Sequence, residues 1–197
     1  MNNPTRYATG LALLATLALP PFLQGCAPLV VGGAATGAAV AVDRRTAGTM
    51  VDDQAVELRA LDAILSDKEI YEQAHVSVTS FNGLVLLTGQ APTAELRDRA
   101  QRLISGFPEV RRVQNEIQIS APSSLMTRSS DTWITTKVKT LMFAEKNFSA
   151  NNVKVVTDNG TVYLMGLVHR AEADKAVLIA RQVSGVQRVV KVFEYLD

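Results

Sequence analysis

The chain of 197 residues has little of what most catalytic and metal sites are built from. It contains one cysteine and two histidines. A disulfide within the chain is therefore impossible, and a cysteine-rich metal site is excluded. His75 and His169 occupy non-equivalent places in the sequence and have no cysteine or histidine nearby, so neither predicts a metal ligand.

The common catalytic and phosphate-binding motifs are missing as well. The sequence has no G-x-S-x-G, no Walker loop and no H-E-x-x-H. Its formal net charge is +1, so it lacks the basic field of a nucleic-acid-binding protein. The acidic pair Asp52 and Asp53 is interpreted as helix capping. We therefore predict that the protein is not an enzyme and has no catalytic residues, cofactor, metal, small-molecule substrate or nucleic-acid partner.

The N-terminus has the composition of a secretion signal. Arg6 precedes an apolar run, Leu11–Leu19, which is shorter than the about 20 residues of a membrane-spanning helix. The following "LQGC" resembles the lipobox of bacterial lipoproteins, in which the cysteine becomes the acylated N-terminus. The resemblance implies a signal peptide over residues 1–25, acylation of Cys26 and, because Ala27 rather than aspartate follows, anchoring in the outer membrane facing the periplasm. An ordinary signal peptide with an incidental cysteine is the alternative.

Residues 26–51 predict a flexible tether. They are rich in glycine and alanine and lack both caps and periodic large apolar residues. A second transmembrane helix is the alternative, but its apolar part, Ala27–Val42, is too short and too poor in large residues.

The remainder of the chain contains an internal repeat. Val76–Glu95 aligns with Val153–Glu172 at an offset of 77, with an Asn-Gly pair and a later glycine in register. Glu109–Ile119 then matches Gly185–Tyr195 at an offset of 76. Two copies at this period indicate tandem small domains, because a solenoid would need more repeats.

Each copy predicts the same order of elements. A helix, over about Asp53–Leu65 or Thr132–Phe143, precedes an alternating strand, an Asn-Gly hairpin turn and a second strand. The second strand ends at Gly89 or Gly166, where a side chain would obstruct the packing. A second helix and a last strand complete the copy. The predicted fold is α+β, with αββαβ units in which two helices cover one face of a three-stranded sheet.

The "NG–V–L–G" hairpin and the "SGV–RV" start of the last strand resemble the BON domain. Two such copies behind an "LQGC" signal are similar to the dual-BON outer-membrane lipoproteins. The predicted domains are residues 52–120 and 130–197, with a linker over 121–129. The resemblance implies a role in outer-membrane integrity at the division site, and binding of anionic phospholipid through the first helix of the second domain.

The two copies differ in charge. Residues 52–120 carry seven basic and eleven acidic side chains, a net charge of −4. Residues 130–197 carry nine basic and seven acidic side chains, a net charge of +2. Opposite signs indicate different partners, and the second copy is the better candidate for an anionic one.

The first helix of the second copy contains the only tryptophan, in the stretch "DTWITTKVKTLMF". Asp131 is its candidate N-cap, and Ile134, Val138 and Leu141 have the spacing of a core stripe. Beside that stripe lies a face that mixes aromatic, hydroxyl and cationic side chains, a composition typical of a lipid interface. The residues predicted to bind phospholipid are Trp133, Thr136, Lys137, Lys139, Thr140 and Phe143.

Two alternatives remain open for this face. Trp133 could pack between the two domains or against the edge of the second sheet, leaving Phe143 as the exposed aromatic. The face could also serve a protein–protein adaptor that docks on an outer-membrane assembly component. Dependence on lipid charge and salt separates lipid binding from docking, because attraction to a charged membrane is screened by salt.

Overall fold

The structure, a computed structural model, describes residues 43–197, so the predicted signal peptide, Cys26 and most of the predicted tether lie outside the described residues. The first unit comprises α1 (Ala47–Ser66), α2 (Lys68–Gln73), β1 (His75–Phe81), β2 (Leu84–Ala91), α3 (Ala94–Ser105), β3 (Arg112–Asn115) and β4 (Gln118–Ile119). The second comprises α4 (Leu125–Ala144), a 3-10 turn (Ala150–Asn152), β5 (Val153–Asp158), β6 (Thr161–Val168), α5 (Arg170–Arg181) and β7 (Arg188–Tyr195). The α+β prediction is confirmed, with the short helix α2 as an addition.

Both sheets have the same topology. β1 pairs with β2 and β5 pairs with β6 in antiparallel register. The last strands, β3 with its continuation β4 and β7, run parallel to β2 and β6 respectively. Asn82 and Asn159 have φ values of 54° and 47°, and the glycine after each has φ of 71°. These left-handed conformations confirm the predicted Asn-Gly turns.

The first helix of each unit begins earlier than predicted. Thr46 and Ser124 are the N-caps, accepting hydrogen bonds from the amides of Thr49 and Thr127. The end of the predicted tether and the end of the predicted linker are therefore helical, and Asp131 is not an N-cap. The first turns of these helices were not predicted, because neither helix buries a residue before its aspartate at position 53 or 131. The helical spacing of apolar residues therefore becomes visible in the sequence only after that aspartate.

Each unit buries its core between the helices and one face of its sheet. In the second unit α4 contributes Ile134, Val138 and Met142, which are fully buried. Leu141, predicted to be on the core stripe, is only partly buried at its margin. The equivalent residues of α1 are Val56, Ala60 and Ile64, and they pack on β2 and α3.

The opposite faces of the two sheets pack against each other. An interface cluster joins residues of β1 and β2 to residues of β6 and β7, namely Phe81, Leu84, Leu86, Tyr163, Met165 and Val192. All eight residues of β2 are consequently buried, since α1 and α3 cover one face and the second unit covers the other. The two units are thereby held as one compact body.

Polar contacts at the interface follow a pseudo-twofold relation. Asn82 Nδ2 donates to Glu194 Oε2 at 2.7 Å, and Asn159 Nδ2 donates to Gln118 Oε1 at 3.4 Å. The acceptors occupy equivalent places in the two repeats, at the offset of 76 that relates their last strands. Each hairpin turn therefore contacts the last strand of the other unit.

A buried amide–carboxylate contact adds to this interface. Gln90 Nε2 donates to both carboxylate oxygens of Asp158, at 3.1 and 3.0 Å, and its Oε1 accepts from the amide of Ser123. Burial raises the pKa of Asp158 above its ordinary value, although the hydrogen bond from Gln90 opposes that rise.

Gly89 and Gly166, where the second strands were predicted to end, lie inside β2 and β6, which each continue for two more residues. Neither glycine has room for a side chain. A Cβ at Gly89 would lie 1.9 Å from the carbonyl oxygen of His75, and one at Gly166 would lie 2.2 Å from that of Asn152. The obstruction comes from the first residue of β1 at Gly89 and from the 3-10 turn before β5 at Gly166. The prediction that a side chain at these positions would obstruct the packing is thus confirmed.

We therefore expect Gly89→Ala to lower the free energy of unfolding by on the order of 3 kcal/mol, because the backbone clash adds to the strain of a φ of 116°. Urea denaturation provides the measurement. Gly106→Ala is the matched control, since its Cβ would meet nothing closer than 3.8 Å. Equal midpoints for the two variants would contradict the argument.

Candidate functional site

A buried carboxylate fixes the orientation of α4. Asp131 accepts the backbone amide hydrogens of Asn159 at 2.8 Å and Gly160 at 2.9 Å, so one aspartate satisfies both amides of the hairpin turn. Hydrogen bonds to an ionised acceptor are stronger than neutral ones. The face of α4 that carries Asp131 is thereby held against the β5–β6 turn, and the opposite face is directed to solvent.

The first unit repeats this arrangement with Asp53. Its carboxylate accepts from the amides of Asn82 at 2.7 Å and Gly83 at 2.9 Å, and from the hydroxyl of Ser80 at 2.7 Å. The interpretation of Asp53 as a helix cap is therefore wrong, because the side chain serves the hairpin rather than its own helix. Sequence reasoning missed this role since an aspartate near a predicted helix start has a local explanation.

The hydrogen bonds control the acidity of Asp53. Burial alone would raise its pKa, but the donors Gly83, Ser80 and Asn82, with the guanidinium of Arg45 at 3.0 Å, lower the pKa below its ordinary value. The carboxylate is thus held ionised, which is the state that the turn amides require.

The solvent face of α4 carries all six residues predicted to bind lipid, and all six are exposed. Trp133 is 54% exposed and Phe143 is 64% exposed. Trp133 belongs to neither core nor to the interface cluster of the described residues. The structure therefore does not support the packing alternative for this tryptophan.

The hydroxyl groups of the threonines on this face are hydrogen-bonded within the helix. Thr132, Thr136 and Thr140 each donate a 2.9 Å hydrogen bond to the carbonyl oxygen four residues earlier in the helix. Such bonds within a helix leave the hydroxyl with less need of water. The surface between the two aromatics can therefore leave water at a lower cost than free hydroxyls would impose.

The charge of this face has one sign. Lys137 and Lys139 form no ion pair with any residue between 43 and 197. Asp131 is the single carboxylate within α4, and it is buried against the hairpin turn. The exposed face therefore presents two cations without a neighbouring helical carboxylate.

The apolar part of the face extends beyond the predicted residues. Leu125 and Met126, in the first turn of α4, are largely exposed. Met126 precedes Trp133 by seven residues and shares its side of the helix. Sequence reasoning missed both residues because it assigned them to the linker. An earlier helix start could have been read from Ser124 as an N-cap.

The described chain begins beside the other end of this face. A cleft of about 250 Å³ is lined by Arg45, Phe81, Lys139, Phe143 and Lys154, among others. Arg45 stacks over the Phe81 ring at 3.9 Å and pairs with Asp43 and Asp53. The segment that enters α1 is therefore fixed close to Phe143, at the C-terminal end of α4.

A second arginine ties the same segment to the second unit. Arg44 forms a bidentate ion pair with Glu172, with N–O distances of 2.7 and 2.8 Å. It also donates a 2.8 Å hydrogen bond to the carbonyl oxygen of Leu167. These residues fell in the predicted tether, whose last part is thus bound to both units.

Residues 43–197 contain neither a cluster of metal ligands nor a membrane-spanning helix. No three His, Cys, Asp or Glu side chains of that range are grouped as a metal site would require. No helix within it combines the length and apolar character needed to cross a bilayer.

The fold and the α4 face define a tandem protein built of two αββαβ units with an exposed aromatic and cationic helix face. Residues 52–121 and 130–197 each match the BON domain. The chain therefore belongs to the BON domain family, as a dual-BON protein of the DolP type.

The chain is similar to named relatives over most of its length. It is 43% identical over 176 residues to the outer membrane lipoprotein DolP of Haemophilus influenzae, a match that covers 89% of this chain and 91% of that protein. It is 41% identical over 156 residues to the 21 kDa hemolysin of Actinobacillus pleuropneumoniae, covering 79% and 80%. It is 28% identical over 145 residues to the osmotically-inducible protein Y of Escherichia coli, covering 72% of each chain.

The lowered pKa of Asp53 gives stability a pH dependence. The stabilisation is complete above the pKa of about 3.9 that an unfolded aspartate has, and it is lost as the pH falls through the lower folded pKa. Asp53→Asn should therefore lower the free energy of unfolding by about 2 kcal/mol at pH 7 and by less at pH 3.

Chemical denaturation at the two pH values measures this difference. Asp52→Asn is the matched control, because it changes an exposed carboxylate one residue away. If Asp53→Asn cost as much at pH 3 as at pH 7, ionisation of Asp53 would not be what stabilises the turn.

Proposed function

We propose that the protein is a non-enzymatic outer-membrane lipoprotein, acylated at Cys26 and facing the periplasm, whose second BON domain binds anionic phospholipid through α4. In this role it supports outer-membrane integrity at the division site. The observation that carries the proposal is the α4 face itself, where exposed Trp133 and Phe143 flank Lys137 and no exposed carboxylate of the helix opposes them.

The energetics of this face favour a lipid interface. Burying one aromatic side chain among headgroups contributes about 1.5–3 kcal/mol, and a lysine near an anionic surface adds about 1 kcal/mol. Moving Thr136 and Thr140 from water into the headgroup region costs little free energy, because their hydroxyl groups are already hydrogen-bonded within the helix. The combined attraction is enough for reversible binding and depends on lipid charge.

The position of the chain entry supports the same proposal. Sixteen residues lie between Cys26 and Asp43, so these two residues can be at most about 60 Å apart. Asp43 pairs with Arg45, which lines the cleft beside Phe143. An acyl anchor at Cys26 therefore keeps α4 within reach of the membrane surface.

The proposed role of α4 is selection among lipids rather than retention. A multiply acylated cysteine already holds a protein firmly on a membrane. Contacts from Trp133 and Lys137 would instead bias the protein toward membrane regions rich in anionic lipid. Its relative from Haemophilus influenzae bears the name of an outer membrane lipoprotein, which agrees with this placement.

Vesicle binding tests the proposal directly. Residues 43–197 contain both cores and the interface cluster, and we expect them to bind phosphatidylglycerol vesicles but not phosphatidylcholine vesicles. Trp133→Glu and Phe143→Glu should each weaken binding at least tenfold, since a loss of about 1.4 kcal/mol is sufficient. Co-sedimentation at two salt concentrations gives the affinities.

Leu178→Glu is the matched control, because Leu178 is an exposed apolar residue of a different helix, α5. It should bind as the unchanged protein does. Equal binding to phosphatidylglycerol and phosphatidylcholine vesicles would reject lipid recognition by α4. Unchanged binding by folded Trp133→Glu and Phe143→Glu variants would reject it as well. The alternative would then be docking of this face on an outer-membrane assembly protein.

A further inference from the structure

The outer edge of β1 has unpaired backbone groups. β1 pairs only with β2 and forms the edge of its sheet. The amide of Ser80 donates to Glu57 Oε1 at 2.8 Å, and its carbonyl accepts from Lys154 Nζ at 3.3 Å, so both groups point away from β2. Because antiparallel pairing alternates, Val76 and Val78 also direct their amide and carbonyl groups outward. No hydrogen bond to those outward groups is present within residues 43–197.

A groove lined by leucines lies next to this edge. Leu58, Leu61 and Leu65 of α1 are 60%, 53% and 51% exposed. A cleft of about 440 Å³ between α1 and β1 is lined by Leu58 and Leu61, with Val76 and Val78 on the strand side. Because β1 is the edge strand, no further strand lies beneath the leucines of α1.

The equivalent edge of the second unit has a different composition. β5, the equivalent strand, carries Lys154, whereas the β1 sequence "HVSVTSF" has no charged residue and no proline. α1 and α4 align over their 20 residues at an offset of 78, which places Thr136 and Lys139 where α1 has Leu58 and Leu61. Sheet edges are normally blocked by charges, proline or covering elements. Glu57 and Lys154 block the outer side of β1 at Ser80, whereas no hydrogen bond within residues 43–197 covers that side at Val76 and Val78.

We propose that β1 and the α1 leucines accept an extended segment of another protein, which adds to the sheet as a further strand. The outward groups of Val76 and Val78 need backbone donors and acceptors, which a polypeptide supplies and an acyl chain does not. Alternate side chains of the added strand would face Leu58 and Leu61, so the segment is apolar at every second position.

Charge defines the remaining positions of the segment. The first unit has a net charge of −4. Asp62, three to four residues from Leu58 and Leu65 on α1, has no ion-pair partner within residues 43–197. Basic residues between the apolar ones therefore fit this surface. The edge from His75 to Val78 is about 13 Å long, which matches four to five residues.

Synthetic peptides test the proposal on the full chain in detergent micelles. The test peptide has eight residues, with Val at alternate positions and Lys between them. We expect it to bind and to slow hydrogen–deuterium exchange at the amides of Val76 and Val78. The same peptide with alternate backbone nitrogens methylated should bind at least tenfold more weakly, and so should a version with Glu in place of Lys.

One variant of the protein gives α1 the two residues that α4 has at the equivalent positions. Leu58→Thr together with Leu61→Lys introduces the residues of the second unit at two exposed positions, so the fold should be retained. We expect at least a tenfold loss of peptide affinity. Leu178→Thr, which changes an exposed leucine of α5, is the matched control and should bind as the unchanged protein does.

Three results would overturn the proposal. The first is unchanged exchange at Val76 and Val78 with the Val–Lys peptide. The second is equal binding of the methylated peptide or equal binding by the double variant. The third is a dimer in which these two amides are protected without any peptide, because the occupant would then be a second copy of the chain. None of these results depends on whether α4 binds lipid.

Discussion

The bond between a helix carboxylate and the two amides of an Asn-Gly turn is the interaction on which this structure depends. Asp53 and Asp131 make it in equivalent places, one in each unit. The turn must adopt positive φ angles to close the hairpin, which leaves its amides directed toward the helix. A carboxylate there joins helix to sheet, and thereby determines which side of the helix meets solvent.

The shared frame lets the two units present different surfaces. Both first helices bury residues at the same four places, from the aspartate to Ile64 or Met142. Their exposed sides have diverged, since α1 presents leucines over an open sheet edge and α4 presents Trp133 with unpaired lysines. Packing of the two sheets through the interface cluster then joins the parts of the chain that carry the two surfaces.

Sequence reasoning reached the repeated fold because its signals are local. Asn82-Gly83 specifies the turn, and alternating strands around it specify the hairpin. The helix starts were missed, since their first turns bury nothing. The interface between sheets was also missed because it joins distant residues, although the continuous apolar run "LVLLTG" in β2 is the signal of a strand covered on both faces. The exposure of Trp133 could not be predicted for the same reason, because the sequence alone did not show which surfaces the two units bury against each other.

Emission from Trp133 tests the central claim most directly, because it is the only tryptophan in the chain. Its half-exposed indole should emit at long wavelength in buffer and shift to shorter wavelength with phosphatidylglycerol vesicles. Lipids brominated near the headgroup should then quench it, and phosphatidylcholine vesicles should cause neither effect. An emission maximum that stays in place with anionic vesicles would contradict lipid contact by α4.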